Sequence, residues 1–224
     1  MVRGTPLAAF LTTGQSHADP DQLLDALTGW TRTTADELPE PSRLLLRLLA
    51  AAEPEHRTSD MLKGVWTDLW RRLGRSSVPP PLSDTLAPLT AAALVELEPA
   101  GDPGDPDRAD RYNLHPGVAD VICAGISPQT LTTIDNQLAR FWVRLLDEGL
   151  REEEREATGG LVVHAALAAA PYLLRLKDWA VAGLLLEQAL NRDRTLGTFA
   201  VVLPHLQAIG GIVKTCGSAC HATC

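Results

Sequence analysis

Apolar residues recur along most of the chain at helical spacing, and Pro and Gly separate one recurrence from the next. Asp19-Pro20-Asp21 precedes Gln22-Leu23-Leu24-Asp25-Ala26-Leu27, which predicts a first helix; Leu38-Pro39-Glu40-Pro41-Ser42 ends it. Leu44, Leu45, Leu48 and Leu49 form the stripe of the next helix, stopped near Pro54. Thr58-Ser59-Asp60 is an N-cap cluster, and the helix it opens carries Met61, Leu62, Val65, Trp66, Leu69, Trp70 and Leu73 before Gly74 closes it. Pro79-Pro80-Pro81 is a stiff connector. Beyond it Ser83-Asp84 is expected to cap a further helix with Leu86, Leu89, Ala93 and Leu94 turned inward.

The period then changes. Leu94-Val95-Glu96-Leu97-Glu98 alternates apolar with acidic, and Arg111-Tyr112-Asn113-Leu114-His115 alternates again. A Gly/Pro/Asp-rich loop joins the two runs, so they predict a β-hairpin. After Pro116-Gly117 the helical period returns. Leu131, Ile134, Leu138, Phe141, Trp142, Leu145 and Leu146 mark a long helix over 128–156 that ends in the solvated run Arg151-Glu152-Glu153-Glu154-Arg155-Glu156. Gly159-Gly160 breaks it; residues 161–176 and 178–191 predict a helix pair, and 196–209 a further helix ending at Gly210-Gly211. From Ile212 to Cys224 the residues are small and lack a clear period, and an irregular tail is expected.

Composition narrows the function classes. Hydrophobic residues make up 45% of the chain but aromatics only 4%, so the core must be built mostly of Leu, Ala and Val. The net charge of -8 argues against a general nucleic-acid or anionic-membrane binder, because phosphate contacts need clustered Lys and Arg. No apolar run reaches the roughly 18 residues of a membrane span. Met1-Val2-Arg3-Gly4-Thr5-Pro6 lacks the apolar core of a signal peptide, and three of the four cysteines sit in the last nine residues rather than spread as a disulfide framework. A cytoplasmic protein is expected.

Three helices followed by a hairpin, here residues 39–116, is the order of a winged helix. In DNA-binding members the third helix enters the major groove. Here that helix, about Ser83 to Leu94 (SDTLAPLTAAAL), has no Arg or Lys and its only charge is acidic. The wing loop is acidic as well, so neither element can supply phosphate or guanine contacts.

Two short motifs flank this unit. Gly4-Thr5-Pro6-Leu7-Ala8 resembles the GxP motif of STAND-class signalling ATPases of the NB-ARC type, and Tyr112-Asn113-Leu114-His115-Pro116 falls where that family has its MHD-like motif. The resemblance, closest to the actinobacterial kind, implies that Pro6 packs near an adenine and that His115 contacts the β-phosphate of ADP, both here as vestigial contacts. A His at a helix N-terminus after a wing strand is suited to an anion on its own chemistry too, although such a His equally serves as a helix cap or packs under the wing. Pro116 departs from the motif by replacing its acidic residue. No GxxxxGK[ST] occurs in the chain, so ATP hydrolysis has no machinery and a non-catalytic protein is expected. The resemblance implies a chain that begins after such an ATPase core, with ADP or ATP relevant only beside that missing domain and no cofactor of its own.

Residues 161–194 resemble a tetratricopeptide repeat. Ala170 and Ala182 stand at the small crossing positions, Leu173, Trp179, Leu186 and Ala189 at packing positions and Asp193 at the turn, while Arg194 replaces the usual Pro. Cys216, Cys220, Cys224 and His221 could ligate a soft metal, but the spacing lacks the paired CxxC of structural zinc sites, and no metal is expected. A double-glycine leader ending at Gly210-Gly211 is the weaker reading of the same tail. No GxSxG or HExxH is present.

The expected fold is therefore mainly α: the end of a small helical domain (1–38), a winged-helix domain with one β-hairpin (39–116), tetratricopeptide-like helical hairpins (117–210) and a Cys-containing tail (211–224). The expected function is a regulatory module that binds a protein partner or itself through its helical repeats. The alternative is a DNA-binding winged-helix regulator with a helical effector or dimerisation domain.

Overall fold

The computed structural model describes residues 20–220 apart from 76, 101–108 and 155–158, and side chains from 25 to 211 within that range. The protein is mainly α with one small antiparallel hairpin, as the periodicity predicts. It divides into two compact units, Met1–Leu131 and Thr132–Cys224.

The first unit opens with α1 (Pro20–Glu37) and α2 (Glu40–Ala51). Pro39 ends one and caps the other, and α2 buries Leu44, Leu45, Leu46, Leu48 and Leu49. A short 3-10 turn, Pro54–His56, leads to α3 (Ser59–Arg72). As predicted, Thr58 caps α3: its hydroxyl accepts the Met61 N–H at 3.3 Å. Gly74 closes the helix at φ +77, where a Cβ would be strained, and its N–H donates to the Arg71 carbonyl. The indole N–H groups of Trp66 and Trp70 donate to the carbonyls of Pro80 and Ser77, fastening the proline connector onto α3.

Helix α4 (Leu82–Ala91) is capped differently from the prediction. Pro81 is the cap residue, with no side-chain bond, and Ser83 and Asp84 lie inside the first turn and exposed. The Thr85 hydroxyl donates back to the Pro81 carbonyl, and the buried Ser42 hydroxyl of α2 donates to the Thr85 carbonyl at 2.9 Å. Leu89 and Leu94 are buried as expected; Ala93 is not inward but exposed, in the left-handed region at φ 53, where it turns the chain into the hairpin.

Strands β1 (Glu96–Glu98) and β2 (Arg111–Asn113) pair antiparallel, with Leu97 opposite Tyr112. Each is shorter than its alternating run because Leu94, Val95 and Leu114 leave the ladder to enter the core. A further contact escaped the sequence: Thr58 bridges Arg111, the Ser59 N–H donates to the Asp110 carbonyl and the Tyr112 N–H to the Arg57 carbonyl. The segment before α3 thus serves as a minimal third strand under the hairpin. Helix α5 (Pro116–Ala124) follows β2 and packs on α1 and α2.

Helix α6 (Pro128–Glu153) enters the second unit at Thr132 and is followed by α7 (Gly160–Arg175), α8 (Trp179–Arg192) and α9 (Leu196–Cys220). Asp135 of α6 meets Arg175 of α7, and Gly149 meets Val162, so these helices run antiparallel. The α7–α8 pair matches the predicted one. Ala165, Ala166, Ala169 and Ala170 of α7 and Ala182 and Ala189 of α8 are all fully buried, and small side chains let packed backbones approach closely. Ala170, Leu186 and Val202 form a cluster joining α7, α8 and α9. The expected stop at Gly210-Gly211 is not found: α9 continues through the described part of the expected irregular tail, to Cys220. Two glycines lower helix propensity by about 1 kcal/mol each without forbidding helical angles, and no proline follows Pro204. No helix among the described residues is long and apolar enough to cross a membrane.

Candidate functional site

His115 stands where β2 hands over to α5. It is exposed and is the N-cap residue of that helix; its Nδ1 accepts the Gly117 N–H at 3.1 Å. With Nδ1 accepting, the ring proton is on Nε2, which leaves Nε2–H as a donor. The first turn of α5 is otherwise closed. Pro116 has no N–H, and the Val118 and Ala119 N–H groups both reach the His115 carbonyl, at 2.9 and 3.0 Å. The helix N-terminus therefore presents no orphan donors in its first three positions, and His115 would meet an anion through the imidazole alone. Pro6, the other sequence-predicted nucleotide contact, lies outside the described residues.

Arg57 holds this junction from behind. It is buried; Nε donates to the Ala52 carbonyl at the end of α2 and Nη1 to the Leu114 carbonyl, the residue before His115. The guanidinium thus ties the exit of β2 to α2 and sets the backbone from which the imidazole projects. Tyr112, also largely buried, has its hydroxyl pushed above the usual phenol range, first by burial and then by the negative charge of Asp110. Sequence pattern alone passed over Arg57, because a lone Arg after a helix carries no motif; the Pro54 stop followed by an Arg-Thr-Ser cap was the only hint.

The faces that would meet DNA carry no cation on α4 and two exposed carboxylates, Glu96 and Glu98, on β1. Glu98 is held across the ladder by the Asn113 amide at 3.2 Å. Among the described residues no group of three metal-ligating side chains occurs. Cys216 and Cys220 fall on α9, with their side chains, His221 and Cys224 outside what is described.

The second unit shows a contrasting surface. The start of α9 is fixed by Asp193, which accepts the Thr195 N–H at 2.9 Å and the Thr198 hydroxyl at 2.5 Å; the Thr198 bond first, then the Thr195 N–H, holds its carboxyl below the usual range. From there α9 buries Thr198 and Val202 against its neighbours yet leaves Phe199, Leu203 and Leu206 exposed on an adjacent stripe, with Leu196 at 88%. No Asp, Glu, Lys or Arg occurs from Thr195 to Val213.

Set beside known proteins, the chain matches no protein family, no curated protein and no solved structure.

Proposed function

We propose that this chain is a non-catalytic regulatory and protein-interaction module, similar to the winged-helix and repeat portion of a STAND-type ATPase. The observation that carries the reading is the position of His115. It follows a three-helix and hairpin unit at once, caps the next helix through Nδ1, and keeps Nε2–H available to a phosphate oxygen supplied with another domain. The order α2, α3, α4, β1, β2 and the Thr58–Arg111 bridge support a winged helix over 39–116. The α7–α8 hairpin with its buried alanines, followed by α9, supports a tetratricopeptide-like array as the partner-binding part. In this reading the nucleotide state of a separate ATPase domain is read through His115 and passed to the helices. The partner is a protein, or a second copy through α9, and the setting is cytoplasmic.

One imidazole contact and one proline cannot by themselves hold a nucleotide, since a neutral hydrogen bond is worth about 0.5–1.5 kcal/mol net. Calorimetric titration of the chain alone with ADP should therefore give a Kd above about 1 mM. Micromolar affinity lost in His115→Ala would overturn the dependence on a separate ATPase domain. A mobility-shift assay with mixed duplex DNA at low salt addresses the alternative regulator. The acidic α4 and β1 faces predict no shift; a salt-sensitive complex would favour DNA binding.

A further inference from the structure

The first unit contains a cleft of about 270 Å³ where α1, α2 and the last turn of α5 meet, and three arginines line it. Arg43 and Arg47 share one face of α2 at i,i+4 spacing, and the packing of α1 on the same side brings Arg32 to them. In a chain of net charge -8 this is a local reversal. Among the described residues Asp36 is the only acid in the lining, an excess of two positive charges. Arg43 is committed in part: Nη1 donates to the Asp36 carbonyl near the end of α1 at 3.2 Å. Arg32 and Arg47 are exposed and have no hydrogen bond or ion pair among the described residues. The floor is apolar, with Leu46 at 1% and Ile122 at 8% exposure. The carbonyls of the nearby α5 end are occupied, since Gly125 N–H donates to Ile122 and Ile126 N–H to Cys123, so they do not present free negative poles to the cleft.

We infer that this cleft binds a small organic anion, a carboxylate or phosphate monoester on an apolar body, with Arg32 and Arg47 gripping the oxyanion and Leu46 and Ile122 holding the body. Guanidinium groups suit this role because their planar N–H pairs match two oxygens at once. The excess of two charges matches a dianion, and the volume, near the lower edge of small-molecule sites, suits a small one. Its arginines are remote in the sequence from His115, the cleft lies at the opposite end of α5, and it does not depend on the nucleotide reading.

Phenyl phosphate, benzoate and inorganic phosphate, titrated into the full chain at low ionic strength and followed by amide NMR shifts, test it. At least one aromatic probe should saturate and bind about tenfold or more tighter than inorganic phosphate, the difference coming from the ring on the apolar floor. The stronger of phenyl phosphate and benzoate identifies the oxyanion. Arg32→Gln/Arg47→Gln should weaken that probe about tenfold or more while the unfolding curve stays in place, because both side chains are exposed and make no structural bond. No saturation by any probe at millimolar concentration, equal binding of inorganic phosphate, or retained affinity in the double variant would overturn the assignment.

Discussion

Asp135 and Arg175 join α6 to α7 across the core of the second unit, and removing either should be costly in an unequal way. Asp135 is 2% exposed and receives Nε of Arg175 at 3.1 and 3.2 Å and Nη2 at 2.8 Å. The Arg175 side chain is about one-third exposed (34%), and its guanidinium lies 4.8 Å over the fully buried Tyr172 ring. Breaking a buried ion pair by removing one partner costs about 3–5 kcal/mol. In Asp135→Ala the guanidinium keeps its water-facing side and its ring contact, so the loss is discounted to about 2 kcal/mol. In Arg175→Ala a carboxylate stays in the core without its guanidinium, and the full 3–5 kcal/mol range is expected, about 4 kcal/mol. With a urea m-value of about 1–1.5 kcal/mol/M for a unit of this size, the midpoint should fall by about 1.5–2 M for Asp135→Ala and about 3–4 M for Arg175→Ala. Circular dichroism through a urea series, with hydrogen exchange of α7 amides to locate the loss, measures both. The double variant should cost less than the sum of the singles. If Arg175→Ala is the milder change, or the two effects add, the pair is not the buried, directional link described here.

Other expectations concern separate parts of the chain. His115→Ala should destabilise the first unit by about 1 kcal/mol through loss of the α5 cap, and His115→Asn should restore most of it; equal denaturation curves for all three would refute the capping role. Glu153, whose carboxyl the Arg192 hydrogen bond holds low, and Asp193, held low by Thr198 and Thr195, both have folded values below their unfolded ones. The stability they contribute is complete only above about pH 5, past the ordinary carboxyl values, and is lost as pH falls through the folded values, so Glu153→Gln/Asp193→Asn should flatten the acid limb of thermal stability below about pH 5. An unchanged acid limb would count against both. The exposed Phe199 and Leu203 on the charge-free first part of α9 predict self-association that persists in reductant and is relieved by Phe199→Lys/Leu203→Lys in sedimentation; a monomer at high concentration before substitution would refute it.

Local pattern determined most of the secondary structure. Thr58 and Gly74 bound α3 as their chemistry requires, and the alternation around Glu96 and Tyr112 specified a hairpin, because caps, positive φ and strand period are properties of neighbouring residues. The α7–α8 pair followed from the same periodicity. What local pattern could not decide was set by distant partners. Ser83 and Asp84 have capping chemistry, yet Pro81 caps α4 because Ser42 of α2 fixes the helix at Thr85. Two adjacent glycines read as a stop, yet α9 runs on, since their cost per residue is small and no proline enforces an end. His115 was visible as a candidate from its place after a strand, but only the folded backbone shows that it takes the Gly117 N–H and closes the helix end. Arg57 and the Arg32–Arg47 cleft were illegible for one physical reason: a cation's role depends on which carbonyls, carboxylates or cavities the fold brings within about 3 Å of it, and that proximity is tertiary.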